Sequence, residues 1–313
     1  MANTKLKFIL AGDMDVIRSI CFSPDGRYIA SGSQNNVISL WDVKRLDLIM
    51  RLEGRNVYDS DFVTSVCFSP DGRYIASGSL DSTVRVFDWK KQEEIMRLVG
   101  HVDSAVWSVC FSNDGHYIVS GSSFEGKNNT IRVWDLKKQK EVVRLMGHND
   151  LVSSVCFSND DKYIVSGSLD KTVRVWDWKN KKEIVNLKRH TNDVHSACFS
   201  NDGEYIASGS SDKTLRIWDW KNNEEIIKLN GYTTPVASVC FSSDDKYIAS
   251  GSGFKGKDNI VRVWKWREKQ LMKKFKGHKD IVHSVYFSND DKYIASGSWD
   301  NTARIWEWKN KVN

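Results

Sequence analysis

The sequence predicts an all-β protein assembled from seven copies of one four-stranded unit, and three observations predict it. The phrase C-F-S-[PNS]-D-[GD]-x-Y-I-[AV]-S-G-S occurs six times, and a seventh time with Tyr286 in place of the cysteine. Each copy is followed by an aromatic run such as TVRVWDW (172–178). The leading aromatics are Trp41, Phe87, Trp134, Trp176, Trp218, Trp264 and Trp306, giving spacings of 46, 47, 42, 42, 46 and 42 residues. No stretch carries a sustained helical period.

Within one unit the periodicity argues four short strands. In copy four these run over 151–157, 162–167, 171–177 and 182–187, rich in β-branched and aromatic residues and bounded by Asp, Asn, Gly or Ser. FSNDD (157–161) turns the chain between the first two strands, LDK (169–171) between the second and third, and WKNKKE (178–183) between the third and fourth. With three prolines and no Gly/Ser/Pro linker, residues 1–313 read as one domain.

Composition excludes several classes. The 46 basic and 40 acidic residues are interleaved, so the net charge of +6 marks neither a nucleic-acid arm nor a polybasic anchor. No apolar run is long enough to cross a bilayer. The opening MANTKLKFIL lacks the apolar stretch of a secretory signal. The expected address is cytoplasmic, with the nucleus open in a nucleated cell, and the chain is expected to be monomeric on its own.

These residues resemble WD40 repeats, whose units build the blades of β-propellers. The resemblance spans residues 5–308 and implies a seven-bladed propeller of four antiparallel strands per blade. Copy seven stops at Trp306–Trp308 without a fourth strand, whereas residues 5–12 (KLKFILAG) read like the fourth strand of the other copies. The N-terminal strand is therefore expected to complete the last blade and close the ring.

The family's buried network joins a Gly-His histidine, a second-strand serine, a turn aspartate and a third-strand tryptophan. The matching residues here are His148, Ser166, Asp170 and Trp176; His190, Ser208, Asp212 and Trp218; and His278, Ser296, Asp300 and Trp306. Ser, His and Asp together also suggest a hydrolase triad. Repetition favours the structural reading, since every polar atom of such a set can be satisfied in a dry blade. Asp13, Arg55 and Tyr232 stand where the histidine is expected, Asn35 and Asn128 in place of Asp, and Phe87 in place of Trp. Blades one to three and six are accordingly expected to be less tightly tied. The six cysteines share one first-strand position, a whole blade apart, and read as small buried hydrophobes rather than metal ligands. No phosphate-cradling, dinucleotide-binding or catalytic motif is present. No catalytic residue, metal or cofactor is expected.

Function is sought where the copies differ. Insertions fall in 54–62, 123–129 and 253–259, and one residue in 100–106. In the WD40 architecture these connections open on one face, the top, where they carry Tyr58, Phe62, Phe124 and Phe254. A second variable column lies four residues before the first-strand Phe: Arg18, Thr64, Trp107, Ser153, His195, Ala237 and His283. The resemblance places it at the top mouth of the central channel, where an aromatic such as Trp107 helps grip an inserted side chain, with cation–π capture of Arg or Lys as the natural chemistry. The residue before the turn Asp adds Leu80, Leu169, Ser211 and Trp299. Trp107, Trp299, Leu80 and Leu169 are the leading partner-binding candidates, with His195, His283, Phe124, Phe254 and Tyr58 around them. The expected function is a non-catalytic scaffold binding a peptide or protein segment at the top face and channel mouth. The alternative is a binder of nucleic acid or another anionic surface through Lys-rich hairpins on the opposite face, such as KKQK (137–140) and KNKK (179–182).

Overall fold

The computed structural model describes residues 5–10, 15–53, 62–123 and 129–309. Its strands form seven four-stranded antiparallel sheets. Blade four consists of Val152–Phe157, Tyr163–Ser168, Val173–Asp177 and Lys182–Leu187, each boundary within two residues of the sequence expectation. Six sheets use four strands consecutive in the chain. In the seventh, Lys5–Leu10 lies against Ala303–Glu307, Lys5 opposite Glu307 and Leu10 opposite Ala303. The N-terminal strand therefore completes the last blade. A 3-10 turn at Trp266–Glu268 is the only helical element among the described residues, and none is long and apolar enough to cross a membrane.

The first strand of every blade touches the first strands of both neighbours, blade seven meeting blade one. Serines tie this inner ring across every boundary. The amides of Val66, Val109, Val155, Ala197, Val239 and Val285 donate to Ser19, Ser65, Ser108, Ser154, Ser196 and Ser238 at 3.0–3.2 Å. The amide of Ile20 completes the circuit by donating to Ser284 Oγ at 3.1 Å. Each serine satisfies a backbone donor at an inner edge that no further strand pairs.

The core lies between blades rather than within them. Blade seven's Leu10, Ala295, Ala303 and Ile305 pack on blade one's Ile17, Ile20, Phe22, Ile29 and Trp41, and the other boundaries repeat this arrangement. Fourth strands are largely exposed or half-buried, with a buried leucine near the end such as Leu52 or Leu98, whereas the third strands of blades one to three are buried throughout. The S-G-S glycine is where neighbouring blades come closest. A Cβ on Gly209 would sit 2.7 Å from Val236 Cγ1 and 3.0 Å from the Val236 carbonyl oxygen. The second tryptophan of each W-D-W run wedges against the preceding blade, as Trp178 does edge-on to Tyr117 with ring centroids 5.0 Å apart, while its indole N–H donates to Asp161 O at 2.9 Å.

Candidate functional site

Inside blade four, His148 Nδ1 lies 2.8 Å from Asp170 Oδ2 and its Nε2 2.7 Å from Ser166 Oγ, to which the Trp176 indole N–H donates at 2.8 Å. His190, Asp212, Ser208 and Trp218 repeat this in blade five. In blade seven His278, Asp300, Ser296 and Trp306 do so. Burial opposes the charge on Asp170, but hydrogen bonds from His148, Thr172 and the Asn149 amide hold its carboxyl well below the usual range. Burial also pushes His148 down, leaving it the neutral partner. Ser166, Ser208 and Ser296 are fully buried, so no substrate can meet these hydroxyls.

Other blades keep part of the network: in blade one the Trp41 indole N–H donates to Ser31 Oγ at 3.1 Å. His101 lies 2.7 Å from Ser120 Oγ, to which Trp134 donates at 2.8 Å, while His101 Nδ1 has no partner among the described residues. In blade six the Tyr232 hydroxyl stands in for imidazole, 2.7 Å from Ser250 Oγ and accepting from the Trp264 indole at 2.7 Å. The place of Asp13, Arg55 and Asn128 lies outside the described residues.

The sequence reading missed a buried cation. Six third strands carry an arginine (Arg85, Arg132, Arg174, Arg216, Arg262 and Arg304), all buried. Arg174 bridges Asp170 Oδ2 at 3.3 Å and Glu183 Oε2 at 2.7 Å, and Arg132 pairs with Glu141, Arg216 with Glu225. The signal was present as the repeated R two residues before Trp. It is an ion pair because an isolated guanidinium could not be buried there.

The variable column owes its position to a defect in the ladder. In blade one Ile17 faces Ser33 and Ser19 faces Gly32, so Arg18 has no residue across from it. The same shift leaves Thr64, Trp107, Ser153, His195, Ala237 and His283 as the extra residue of their first strands. A β-bulge re-aims the side chain it inserts, and here it does so seven times at one level of the ring. Thr64 and Ser153 turn to the next blade, donating to Val106 O at 2.5 Å and Val194 O at 2.6 Å. His195 Nε2 lies 2.7 Å from Ser211 Oγ. The rim residues are pinned by one backbone bond: the amides of Leu80, Leu169, Ser211 and Trp299 donate to Phe62, Leu151, Asp193 and Ile281 at 2.8–3.1 Å.

Arg18, Trp107, His283 and Trp299 form one group at the mouth with Phe62. The Arg18 guanidinium carbon is 5.4 Å from a Trp299 ring centroid, 5.9 Å from Trp107 and 6.0 Å from Phe62. Trp299 stacks on His283 with the planes at 14°, and His283 Nδ1 donates to the Arg18 carbonyl oxygen at 2.8 Å. Burial and the Arg18 charge push His283 down to about 4, so its ring is neutral near pH 7. Within the chain, Arg18 is a cation that lies beside the Trp107 ring. Leu80 and Leu169 are half-buried on the rim. Phe254, 48% exposed, stands apart in a hairpin of blade six closed by mutual backbone bonds with Lys257. Tyr58 and Phe124 lie outside the described residues.

Below the mouth the channel encloses about 580 Å³, lined by first-strand residues including Ser19, Cys21, Cys110 and Tyr286, and by none of the mouth residues. The cysteines line this wall, which is why five of the six are half-buried rather than buried as expected; Cys21 alone is buried. No group of His, Cys, Asp or Glu among the described residues could hold a metal ion. On the opposite face, Glu94, Glu183 and Glu225 turn toward Arg85, Arg174 and Arg216 and away from the lysine hairpins. Lys138 is paired with Asp135 and Lys221 with Glu204.

The sequence profile of a family described as "WD domain, G-beta repeat" matches residues 4–42, 47–88, 92–135, 139–177, 181–219, 223–265 and 269–307. Among curated proteins, the general transcriptional corepressor TUP1 of Saccharomyces cerevisiae is 45% identical over 38 residues. That match covers 12% of this chain and 5% of the yeast protein.

Proposed function

The chain belongs to the WD40-repeat family, whose propellers generally mediate protein–protein interaction, and from that premise we propose that it is a scaffold binding a peptide or protein segment across the top face at the channel mouth. The observation that carries this reading is the convergence of the unequal positions. Bulge residues Arg18, Trp107 and His283 and rim residue Trp299 meet in one contact set, although the three blades that supply them are otherwise close copies. Large aromatic groups held rigidly at a partly exposed rim are typical interface anchors. The corepressor named in the comparison is a regulatory protein, and likeness to one of its segments accords with a binding role.

The alternative, an anionic surface against the opposite face, draws support from the inward turn of Glu94, Glu183 and Glu225, which leaves the lysine hairpins less neutralised than the sequence suggests. Affinity purification separates the two. The top-face reading expects Trp107→Ala and Trp299→Ala baits to lose the partners recovered with the wild-type chain. It expects charge reversal of Lys137, Lys138, Lys181 and Lys182 to leave them. The opposite pattern would establish the lysine face and end the mouth proposal.

A further inference from the structure

We infer that the channel mouth recognises an acidic side chain of its bound segment, with the Arg18 guanidinium as the carboxylate-binding group and Phe62, Trp107 and Trp299 as the collar that holds it. The inference rests on the top-face reading above and names the chemistry of the partner.

The carrying observation is a contrast among arginines. Seven other arginines of the described residues are buried or half-buried: Arg85, Arg97, Arg132, Arg174, Arg216, Arg262 and Arg304. Every one has a carboxylate partner within the same blade. Arg18, half-buried, has none among the described residues. Its neighbours are aromatic faces, a neutral His283, and Gln34. With the Gln34 amide oxygen turned to the guanidinium, it accepts from Nη2 at 2.6 Å and Nε at 3.0 Å. Burial accordingly lowers the Arg18 pKa, and no acid among the described residues offsets it.

Such a site is held ready for an anion. Aromatic faces stabilise a guanidinium only in part, and a desolvated charge gains most from a partner of opposite sign. Gln34 occupies the Nε/Nη2 edge, which leaves the Nη1/Nη2 edge for a second acceptor. That edge presents two parallel N–H groups, matched to the two oxygens of one carboxylate. The bulge sets the guanidinium at the mouth, and the His283 bond to the Arg18 carbonyl fixes the backbone behind it. The collar also argues against a cationic anchor, because a partner's Lys or Arg would be brought against a fixed like charge.

The test uses the full chain and a set of synthetic peptides of one length and apolar content, whose variable positions are Asp/Glu, Asn/Gln, Lys/Arg or phosphoserine. Binding is read by fluorescence anisotropy. The Asp/Glu peptides are expected to bind the wild-type protein best. Arg18→Gln is expected to weaken them by roughly tenfold or more, as for a lost charge-assisted hydrogen bond. Arg18→Lys keeps the charge without the fork, shows an intermediate loss, and serves if the glutamine variant does not fold. A preference for Lys/Arg peptides, a preference for phosphoserine over Asp/Glu, or acidic-peptide binding that ignores both Arg18 variants would overturn the inference while leaving a top-face site. Absence of peptide binding, or binding unaffected by Trp107→Ala and Trp299→Ala, would remove both the inference and the reading beneath it.

Discussion

Replacing Asp170 by alanine probes the stabilising logic of the blades. Its carboxylate accepts from the Thr172 amide at 3.0 Å, the Thr172 hydroxyl at 2.6 Å, His148 Nδ1 at 2.8 Å, the Asn149 amide at 3.1 Å and Arg174 Nη2 at 3.3 Å. The side chain is 5% exposed, so water replaces little of this when the carboxylate goes. Breaking a buried charged pair by removing one partner costs about 3–5 kcal/mol. Arg174 retains Glu183, which places the expected cost near the lower end, about 3 kcal/mol. For a chain of this size that corresponds to a fall of about 4–5 °C in Tm. Urea unfolding followed by tryptophan fluorescence should show a lower midpoint with an unchanged slope. Asn35→Ala is the matched control: in blade one the turn residue is uncharged and Ser39 stands where the buried arginine does elsewhere. Its expected cost is about 1 kcal/mol or less. If Asp170→Ala costs no more than Asn35→Ala, the carboxylate is not the centre of the blade network and the reasoning is wrong.

Deleting residues 1–11 removes the strand paired with Ala303–Glu307 and should produce higher-order species in size-exclusion chromatography; an unchanged monomer peak and melting curve would refute closure by that strand. Gly209→Ala places a Cβ 2.7 Å from Val236 Cγ1 and should cost about 1–3 kcal/mol in chemical unfolding, whereas a neutral result would show that the blades can part without loss. Burial pushes His148, His190 and His278 down, His101 to about 3 and His283 to about 4. Their folded pKa values lie below the ordinary 6.5, so this stability is fully present above about pH 6.5 and is lost as pH falls toward 4. Unfolding midpoints should therefore drop between pH 8 and pH 5, and equal midpoints would contradict neutral burial of these rings.

Much of the fold was legible because one physical pattern is written seven times. Repeated turn residues and alternating apolar positions locate the strands, and the missing fourth strand of the last copy finds its match at residues 5–10. The site was legible only as a column of unequal residues. That Arg18, Trp107 and His283 share a level of the ring depends on a β-bulge in each first strand, and a one-residue register slip leaves no mark in composition. The pairing of Arg18 with Trp107, Trp299 and Phe62 joins blades that are distant in the chain, so no local pattern announces it. Blade three's His101 bond to Ser120 and blade six's Tyr232 substitution were hidden for another reason. A motif reading counts a departed residue as a lost contact, whereas a phenol or an unaccompanied imidazole still reaches the same serine.

The most direct test of the top-face account uses two photo-cross-linking positions on the same blade, one at each end. A photoreactive phenylalanine derivative replaces Leu169, on the rim of blade four, or Asn180, in the hairpin between its third and fourth strands. With the partner recovered by the wild-type chain, the account predicts cross-links from position 169 and none from position 180. Cross-links confined to position 180 would contradict it and move recognition to the lysine face.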